Sequence, residues 1–230
     1  MESVSFQYNP NCPYLSSQNA LSQSRLWIIV PGLNETPWRD PWISSYCEAI
    51  MQLGAGVISI NPHWRPINDD VNASQYQAQL EELCEQWFTI HQNGQASIGF
   101  IGYSQGGCQT IMFLLTNPLI HKIIHHYPQL NLYPPILIDP YPPDEDLLAN
   151  ISCPLTNSNA LKCIRDLLEK SCIFNVDGNI SVGGIERLPI GAWTAELLGI
   201  KSSVLVTVND VNHSDLPPVV LSDVIYWCQL

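Results

Sequence analysis

The feature that most constrains the fold of this chain is the pentapeptide Gly-Tyr-Ser-Gln-Gly at residues 102–106. It follows a short apolar run at 97–101 and precedes an apolar, helix-like segment at 108–115. A G-x-S-x-G motif between a strand and a helix is typical of a sharp turn that presents the serine hydroxyl above the edge of a sheet. Glycines suit the flanking positions because a Cβ atom there would collide with the strand or the helix. The motif therefore predicts a strand, a turn at Ser104 and a helix, in that order.

Strand-like and helix-like segments alternate on both sides of this turn. A continuous apolar run, which is expected of a buried parallel strand, occurs at 26–30, and further strand-like segments occur at 55–60, 134–140 and 203–208. Helical spacing of apolar residues occurs at 41–53, 74–92, 160–170, 189–199 and 217–228. This alternation predicts an α/β protein with a mostly parallel sheet and helices on both faces. The 230 residues are enough for a single domain, 1–230.

Four further segments carry weaker patterns. Alternating apolar residues at 3–8 predict an edge strand, and the polar, proline-containing stretch 9–24 predicts a surface connection. Alternation on both sides of Asp-Gly within 171–184 predicts a β-hairpin. Residues 141–170 contain prolines, acidic residues and one helical segment, which suggests a small lid inserted into the domain.

Charge and composition exclude several classes of protein. The formal net charge is −12 with only nine Lys and Arg residues, so a nucleic-acid partner or an anionic membrane surface is not expected. No apolar run approaches the roughly 18 residues of a membrane span. The eight cysteines contain no C-x-x-C pair, which argues against a zinc site. Together with an amino terminus that lacks the features of a signal peptide, they predict reduced thiols in a cytoplasmic protein.

A serine hydroxyl needs a base within hydrogen-bonding distance to become a nucleophile. Of the six histidines, His213 alone follows the last predicted strand and precedes the terminal helix, so it is the candidate general base. The histidines within 121–126 lack carboxylate partners at a clear spacing, and we therefore expect no metal ion there. The backbone amide of Gln105, at the start of the helix, would face an oxyanion that develops beside Ser104.

The base in turn needs an acid that orients it, and a G-x-S-x-G turn is followed by acid and histidine in that chain order. Asp139 ends a buried strand and is followed by proline. Asp177 and Glu186 lie further along, near the ends of later segments. Spacing alone leaves these three candidates open.

The chain resembles the α/β-hydrolase family over nearly its whole length. The resemblance rests on Val-Pro-Gly-Leu at 30–33, Gly-Tyr-Ser-Gln-Gly-Gly at 102–107 and the strand, loop and helix around His213. It implies an acyl-Ser104 intermediate, an oxyanion hole made by the amides of Leu33 and Gln105, and no metal or organic cofactor. Trp38 and Trp42 would line the acyl pocket or, alternatively, pack in the core.

A narrower resemblance concerns the segment Ile-Leu-Ile-Asp-Pro-Tyr-Pro-Pro at 136–143. It is similar to thioesterase domains of polyketide and nonribosomal peptide synthases, in which the aspartate is the catalytic acid and a lid follows. This resemblance implies Asp139 rather than Asp177 or Glu186. The Ser104 motif also resembles acyl-protein thioesterases, cutinases and lipases.

The resemblance implies a serine hydrolase, with a thioesterase as the first candidate, that cleaves an acyl thioester or ester or else transfers or cyclises the acyl group. A carrier protein or coenzyme A would present the thioester. The alternatives are a carboxylesterase or lipase acting on small oxoesters, and a non-catalytic binding protein with the same fold.

Overall fold

A computed structural model describes residues 14–33, 35–37, 39–63, 73–143, 159–176, 180–182, 185–187, 190–199 and 205–229. Within these ranges the strands are β1 Tyr14–Ser16, β2 Arg25–Val30, β3 Gly56–Ile60, β4 Ala96–Tyr103, β5 Leu130–Leu132, β6 Ile136–Ile138, β7 Cys172–Val176, β8 Ile180–Val182, β9 Ile185–Arg187 and β10 Leu205–Val208. The helices are α1 Pro41–Gln52, α2 Ala73–His91, α3 Gln105–Thr116, α4 Pro118–His126, α5 Asn159–Leu168, α6 Ile190–Leu198, α7 Leu216–Val219 and α8 Leu221–Trp227.

The main sheet has the strand order β1-β3-β2-β4-β6-β7-β10. β1 runs antiparallel to β3, and the other neighbours are parallel. β5 and β6 follow one another along the same edge of β4, where β5 pairs with its start and β6 with its end. The predicted α/β class with a mostly parallel sheet is therefore confirmed.

The sheet separates two hydrophobic layers. Along β2, Leu26, Ile28 and Val30 face one layer, which contains buried side chains of α2, α3, α4 and α5. Trp27 and Ile29 face the other layer, which contains buried side chains of α1 and the C-terminal helices. This alternation follows from the two-residue period of a strand, and it places helices on both faces as predicted.

Several described segments were not anticipated by the sequence patterns, among them the strands Leu130–Leu132 and Ile185–Arg187. The predicted surface connection 9–24 contains the edge strand Tyr14–Ser16, and Pro118–His126 is a helix. The sequence did contain a signal for this helix, namely asparagine directly followed by proline. In the structure the Asn117 side chain accepts the N–H groups of Leu119 and Ile120, and proline is favoured at the first helical position. A three-residue edge strand is too short for its alternation to stand out.

The predicted hairpin around Asp177 is wrong. Cys172–Val176 has β6 on one side and β10 on the other, both parallel, so no edge is free for a hairpin partner. Ile180–Val182 pairs instead with Ile185–Arg187 in a separate two-stranded sheet. The alternating pattern resembled a hairpin because a central strand and a hairpin arm can share the same local sequence.

Other predictions fall partly or wholly outside the described ranges. The edge strand at 3–8 lies outside them, and so do residues 144–158 of the lid predicted at 141–170. The helix Asn159–Leu168 packs Leu161, Ile164 and Leu168 into the hydrophobic core. The lid and the single domain 1–230 stay predictions. Among the helices in the described ranges, none has the length and apolar character needed to cross a membrane.

Candidate active site

The first component of the site lies where β4 ends. Ser104 adopts φ 54° and ψ −123°, a backbone conformation that non-glycine residues rarely occupy. Its N–H donates to the carbonyl of Ile138 over 2.9 Å, and its carbonyl accepts the N–H groups of Gly107 (3.0 Å) and Tyr141 (3.1 Å). The strained residue is therefore held from β6 and from α3, the helix that it precedes.

Glycine is required around this turn because the chain segments are in direct contact. A Cβ atom on Gly102 would lie 2.6 Å from the Cα atom of Gly107. A Cβ on Gly106 would overlap the carbonyl oxygen of Val30, and one on Gly107 would lie 2.5 Å from the Cβ of Pro140. The predicted turn at Ser104 and the reason for its glycines are thus both found in the structure.

The second component lies where β6 ends, beside the Ser104 turn. Asp139 is fully buried and also has a positive φ, 40°. Its N–H donates to Phe174 over 2.6 Å, and its Oδ1 accepts the N–H of Gly191 over 3.2 Å. Its Oδ2 lies 2.5 Å from Nδ1 of His213. The carboxylate is therefore fixed by one backbone donor and by the imidazole.

The third component is His213, which begins the short 3-10 helix His213–Asp215 after β10. Its Nε2 lies 2.9 Å from Oγ of Ser104. Tyr103 donates its hydroxyl to the His213 carbonyl over 2.9 Å and stacks on the imidazole, with ring centres 4.9 Å apart. Tyr141 approaches edge-on with ring centres 6.3 Å apart. These contacts fix the position and tilt of the ring.

The structure brings Ser104, His213 and Asp139 into one hydrogen-bonded row. The other candidate acids, Asp177 and the side chain of Glu186, lie outside the described part of the chain. Neutral histidine in this row accepts at Nε2 and donates at Nδ1. Such an arrangement can remove a proton from a serine hydroxyl while the carboxylate stabilises the imidazolium.

A cleft of about 820 Å³ opens onto this row. Its walls include Gly32, Leu33, Glu35, Asp40, Pro41, Trp42, Tyr103, Gln105, Tyr141, Ser214 and Pro218. Both residues predicted to supply oxyanion amides, Leu33 and Gln105, thus line it beside Ser104. Gln105 is the first residue of α3, where a helical N–H has no acceptor within the helix. Trp42 lines the cleft and is also buried in the hydrophobic layer that contains α1, so both alternatives hold for it. Trp38 lies outside the described residues.

Glu35 is a residue of the cleft that sequence reasoning missed. Its Oε2 accepts the N–H of Gly32 over 2.8 Å, and its Oε1 accepts the indole N–H of Trp42 over 2.9 Å. Burial raises the pKa of Glu35, these two hydrogen bonds oppose the rise, the neighbouring Asp40 adds to it, and His213 opposes it. The sequence signal for Glu35 was its position in the loop after β2, three residues beyond Gly32 and close to the predicted oxyanion amide of Leu33.

Of the three histidines of α4, His121 contacts a backbone carbonyl, and the rings of His125 and His126 lie side by side with centres 5.9 Å apart. Nε2 of His121 is 3.0 Å from the carbonyl of Leu115. Within the ranges that the structure describes, no group of three or more His, Cys, Asp or Glu side chains is arranged to hold a metal ion.

No family model matches this sequence, and no curated protein matches it by sequence. Solved structures do match its fold. Dienelactone hydrolase from Anabaena variabilis aligns over 98% of this chain and 94% of its own, with TM-score 0.54 and 11% identity. Est1E from Butyrivibrio proteoclasticus, solved with ferulic acid bound, aligns over 90% of this chain and 89% of its own, with TM-score 0.57 and 14% identity.

An alpha-beta serine hydrolase homologue from Coxiella burnetii aligns over 94% of this chain and 88% of its own, with TM-score 0.53 and 12% identity. The shared feature of these structures is the α/β-hydrolase fold. This protein therefore has the α/β-hydrolase fold, as the resemblance of its sequence implied.

Proposed function

We propose that this protein is a serine hydrolase that cleaves an acyl ester or thioester through an acyl-Ser104 intermediate. The observation that carries the proposal is the row Ser104 Oγ, His213 Nε2, His213 Nδ1 and Asp139 Oδ2, with contacts of 2.9 and 2.5 Å. The row ends in a fully buried carboxylate and begins in a cleft, which is the arrangement that nucleophilic catalysis by serine needs.

In the first half-reaction, His213 takes the proton of Ser104 as Oγ attacks the acyl carbonyl carbon. The carbonyl oxygen becomes an oxyanion, which accepts the amides of Leu33 and Gln105. His213 then gives its proton to the leaving alcohol or thiol as the bond to the acyl carbon breaks. Asp139 keeps Nδ1 protonated throughout and stabilises the imidazolium.

In the second half-reaction, His213 removes a proton from water, whose oxygen attacks the acyl-enzyme carbonyl. Collapse of the second oxyanion releases the carboxylic acid and returns the proton to Ser104. A substrate hydroxyl or amine in place of water would give transfer or cyclisation. No step requires a metal ion or organic cofactor.

The leaving group divides the proposal into two candidates. An oxoester is favoured by the cleft, because Glu35 and Asp40 line it and none of its described lining residues is Lys or Arg. Such a wall repels the phosphates of coenzyme A. The names of the neighbours also favour an oxoester, since Est1E binds ferulic acid and another is a dienelactone hydrolase. A thioester is favoured by the position of Asp139 directly after β6, as in the thioesterase domains that the 136–143 segment resembles. A carrier protein and a cytoplasmic location stay predictions.

The test is a panel of p-nitrophenyl oxoesters and N-acetylcysteamine thioesters of equal chain length, together with an acyl-coenzyme A and a fluorophosphonate. Hydrolysis rates and intact-mass spectra are measured on the protein and on Ser104→Ala. Ser45→Ala, on the exposed side of α1, serves as the matched control. We expect an acyl or phosphonyl adduct on the unmodified protein and the control, and none on Ser104→Ala. Absence of both turnover and labelling in the unmodified protein would leave only the non-catalytic binding protein.

A further inference from the structure

The carboxylate of Glu35 joins two segments of the cleft. Gly32 belongs to the loop after β2, and Trp42 belongs to the first turn of α1. Glu35 accepts one N–H from each, over 2.8 and 2.9 Å. A further hydrogen bond closes the loop, because the N–H of Glu35 donates to the carbonyl of Gly32 over 3.2 Å.

We propose that Glu35 is a positioning residue that fixes the Gly32–Leu33 peptide segment, so that the Leu33 amide faces the oxyanion beside Ser104. This inference rests on the proposed function. Glu35 acts through the loop, since its two hydrogen-bonded partners are Gly32 and Trp42 rather than Ser104 or His213.

The chemistry of the side chain explains why glutamate is used here. An ionised carboxylate presents two acceptor oxygens and no donor, so it satisfies both N–H groups together. Glutamine presents one acceptor oxygen and an NH₂ group, which would face one of the two donors without making a bond. Since buried donors without acceptors are unfavourable, the loop would leave its position to find another acceptor.

The surroundings of Gly32 leave the loop little room. A Cβ atom on Gly32 would lie 3.2 Å from the Tyr103 ring. Trp42 contacts the same ring edge-on, with centres 5.6 Å apart, and Tyr103 stacks on His213. Glu35 therefore connects the loop, through Trp42, to the Tyr103 ring that stacks on His213. We infer that these contacts hold the Leu33 amide and the His213 imidazole in fixed relative positions.

The test compares Glu35→Gln with the unmodified protein on the best neutral ester of the substrate panel. We expect kcat to fall about 10- to 100-fold with KM changed by less than about 3-fold. Complete loss of an oxyanion donor costs about 10²–10³ in kcat, and the effect should be smaller here because the Leu33 amide is displaced rather than removed. Glu48→Gln, which alters an exposed carboxylate on α1, is the control and should match the unmodified protein. If Glu35→Gln is recovered unfolded, Glu35→Asp is measured in its place, with the same split expected.

A double-variant cycle with Trp42→Phe sharpens the test. Phenylalanine removes the second donor, so the single oxygen of glutamine is then free to accept the N–H of Gly32. We expect Trp42→Phe to lower kcat less than Glu35→Gln does, and the combined loss to be smaller than the product of the two single losses.

Three outcomes would overturn the inference. Loss of stability with unchanged kcat would make Glu35 purely structural, and a raised KM with unchanged kcat would make it a substrate contact. Independent, multiplicative losses in the cycle would mean that the two donors do not share the carboxylate. If the unmodified protein hydrolyses nothing and resists the fluorophosphonate, it is the proposed function that fails.

Discussion

Two neighbouring strands of the sheet, β4 and β6, are each followed by a non-glycine residue with positive φ, but different contacts hold the two turns. β4 ends at Ser104 with φ 54°, and β6 ends at Asp139 with φ 40°. The turn at Ser104 is made possible by the glycines 102, 106 and 107, whose missing side chains let α3 approach β4, the end of β2 and Pro140. The turn at Asp139 contains no glycine and is held by partners distant in sequence, namely Phe174, Gly191 and His213.

The contrast shows why the proposed nucleophile is easy to find in a sequence and the proposed acid is not. A turn that is closely packed on every side needs glycines at fixed spacing within the turn itself, and these form a motif. A turn that depends on hydrogen bonds from other strands and helices needs no glycine motif, because any partner backbone N–H or carbonyl serves. Asp139 was singled out only by the resemblance of the segment 136–143. The following predictions test this difference, beginning with the largest expected effect.

The Ser104 turn should carry the whole reaction. We expect Ser104→Ala to lower kcat by about 10⁶, the scale seen when the nucleophile of such a row is removed, with the circular dichroism spectrum unchanged. The variant Ser104→Ala/Asp139→Asn should lose no more activity than Ser104→Ala alone, because the residues act as a unit. A further drop in the double variant would indicate that Asp139 contributes by another route.

The Asp139 turn should contribute less, since it acts through His213. Asp139→Asn is expected to lower kcat by about 10⁴, because an asparagine that donates to Nδ1 stabilises the wrong imidazole tautomer. Asp166→Asn, on the exposed side of α5, is the matched control. A loss below 10-fold in steady-state hydrolysis would show that another carboxylate orients His213, with Asp177 and Glu186 the next residues to change.

The requirement for glycine at the Ser104 turn should be measurable as a loss of folding stability when one of these glycines is replaced. Gly106→Ala places a Cβ atom against the backbone oxygen of Val30, which cannot rotate away. We expect the free energy of unfolding to fall by about 1–3 kcal/mol, the usual cost of overpacking, in urea titrations followed by tryptophan fluorescence.

Gly94→Ala is the control for that titration, because its Cβ would meet only the carbonyl of His91 at 3.9 Å. Its effect should stay within about 0.5 kcal/mol. Equal effects of the two substitutions would mean that the contact at Gly106 relaxes without cost, and the motif would then need another explanation.

The loop after β2 contains a third polar residue at a strand end, Glu35, whose carboxylate accepts N–H groups from residues close to it in the chain, Gly32 and Trp42. The pKa of Glu35 is raised by burial above its ordinary value of 4.5, with Asp40 adding to the rise and His213 opposing it. As pH increases from 4.5 through the raised pKa, the unfolded chain loses its proton first, so the contribution of Glu35 to folding stability decreases.

The free energy of unfolding of the unmodified protein, minus that of Glu35→Gln, should therefore fall with increasing pH over this range and then level off. Urea titrations at closely spaced pH values measure the difference. A difference that grows with pH would mean that the hydrogen bonds from Gly32 and Trp42 outweigh burial, and that the pKa of Glu35 is lowered.

The sequence by itself determined the fold class and the turn at Ser104. Apolar runs alternating with helical periodicity were enough for the mostly parallel sheet, because burial on two faces imposes that pattern on every central strand. The spacing of glycines was enough for the turn, because every close contact of that turn falls on glycines within a six-residue stretch, whichever segment lies opposite. His213 could be singled out by its place after the last strand.

Tertiary structure alone decided the remaining features. Spacing left Asp139, Asp177 and Glu186 open, and only the folded chain shows that the Asp139 carboxylate meets His213, 74 residues away. The hairpin around Asp177 was predicted wrongly because the partners of β7 are set by the order of strands in the sheet. Glu35 was missed because its role depends on the N–H groups of Gly32 and Trp42, which the folded loop brings to its two oxygens. Such side-chain contacts impose no repeating pattern on a sequence.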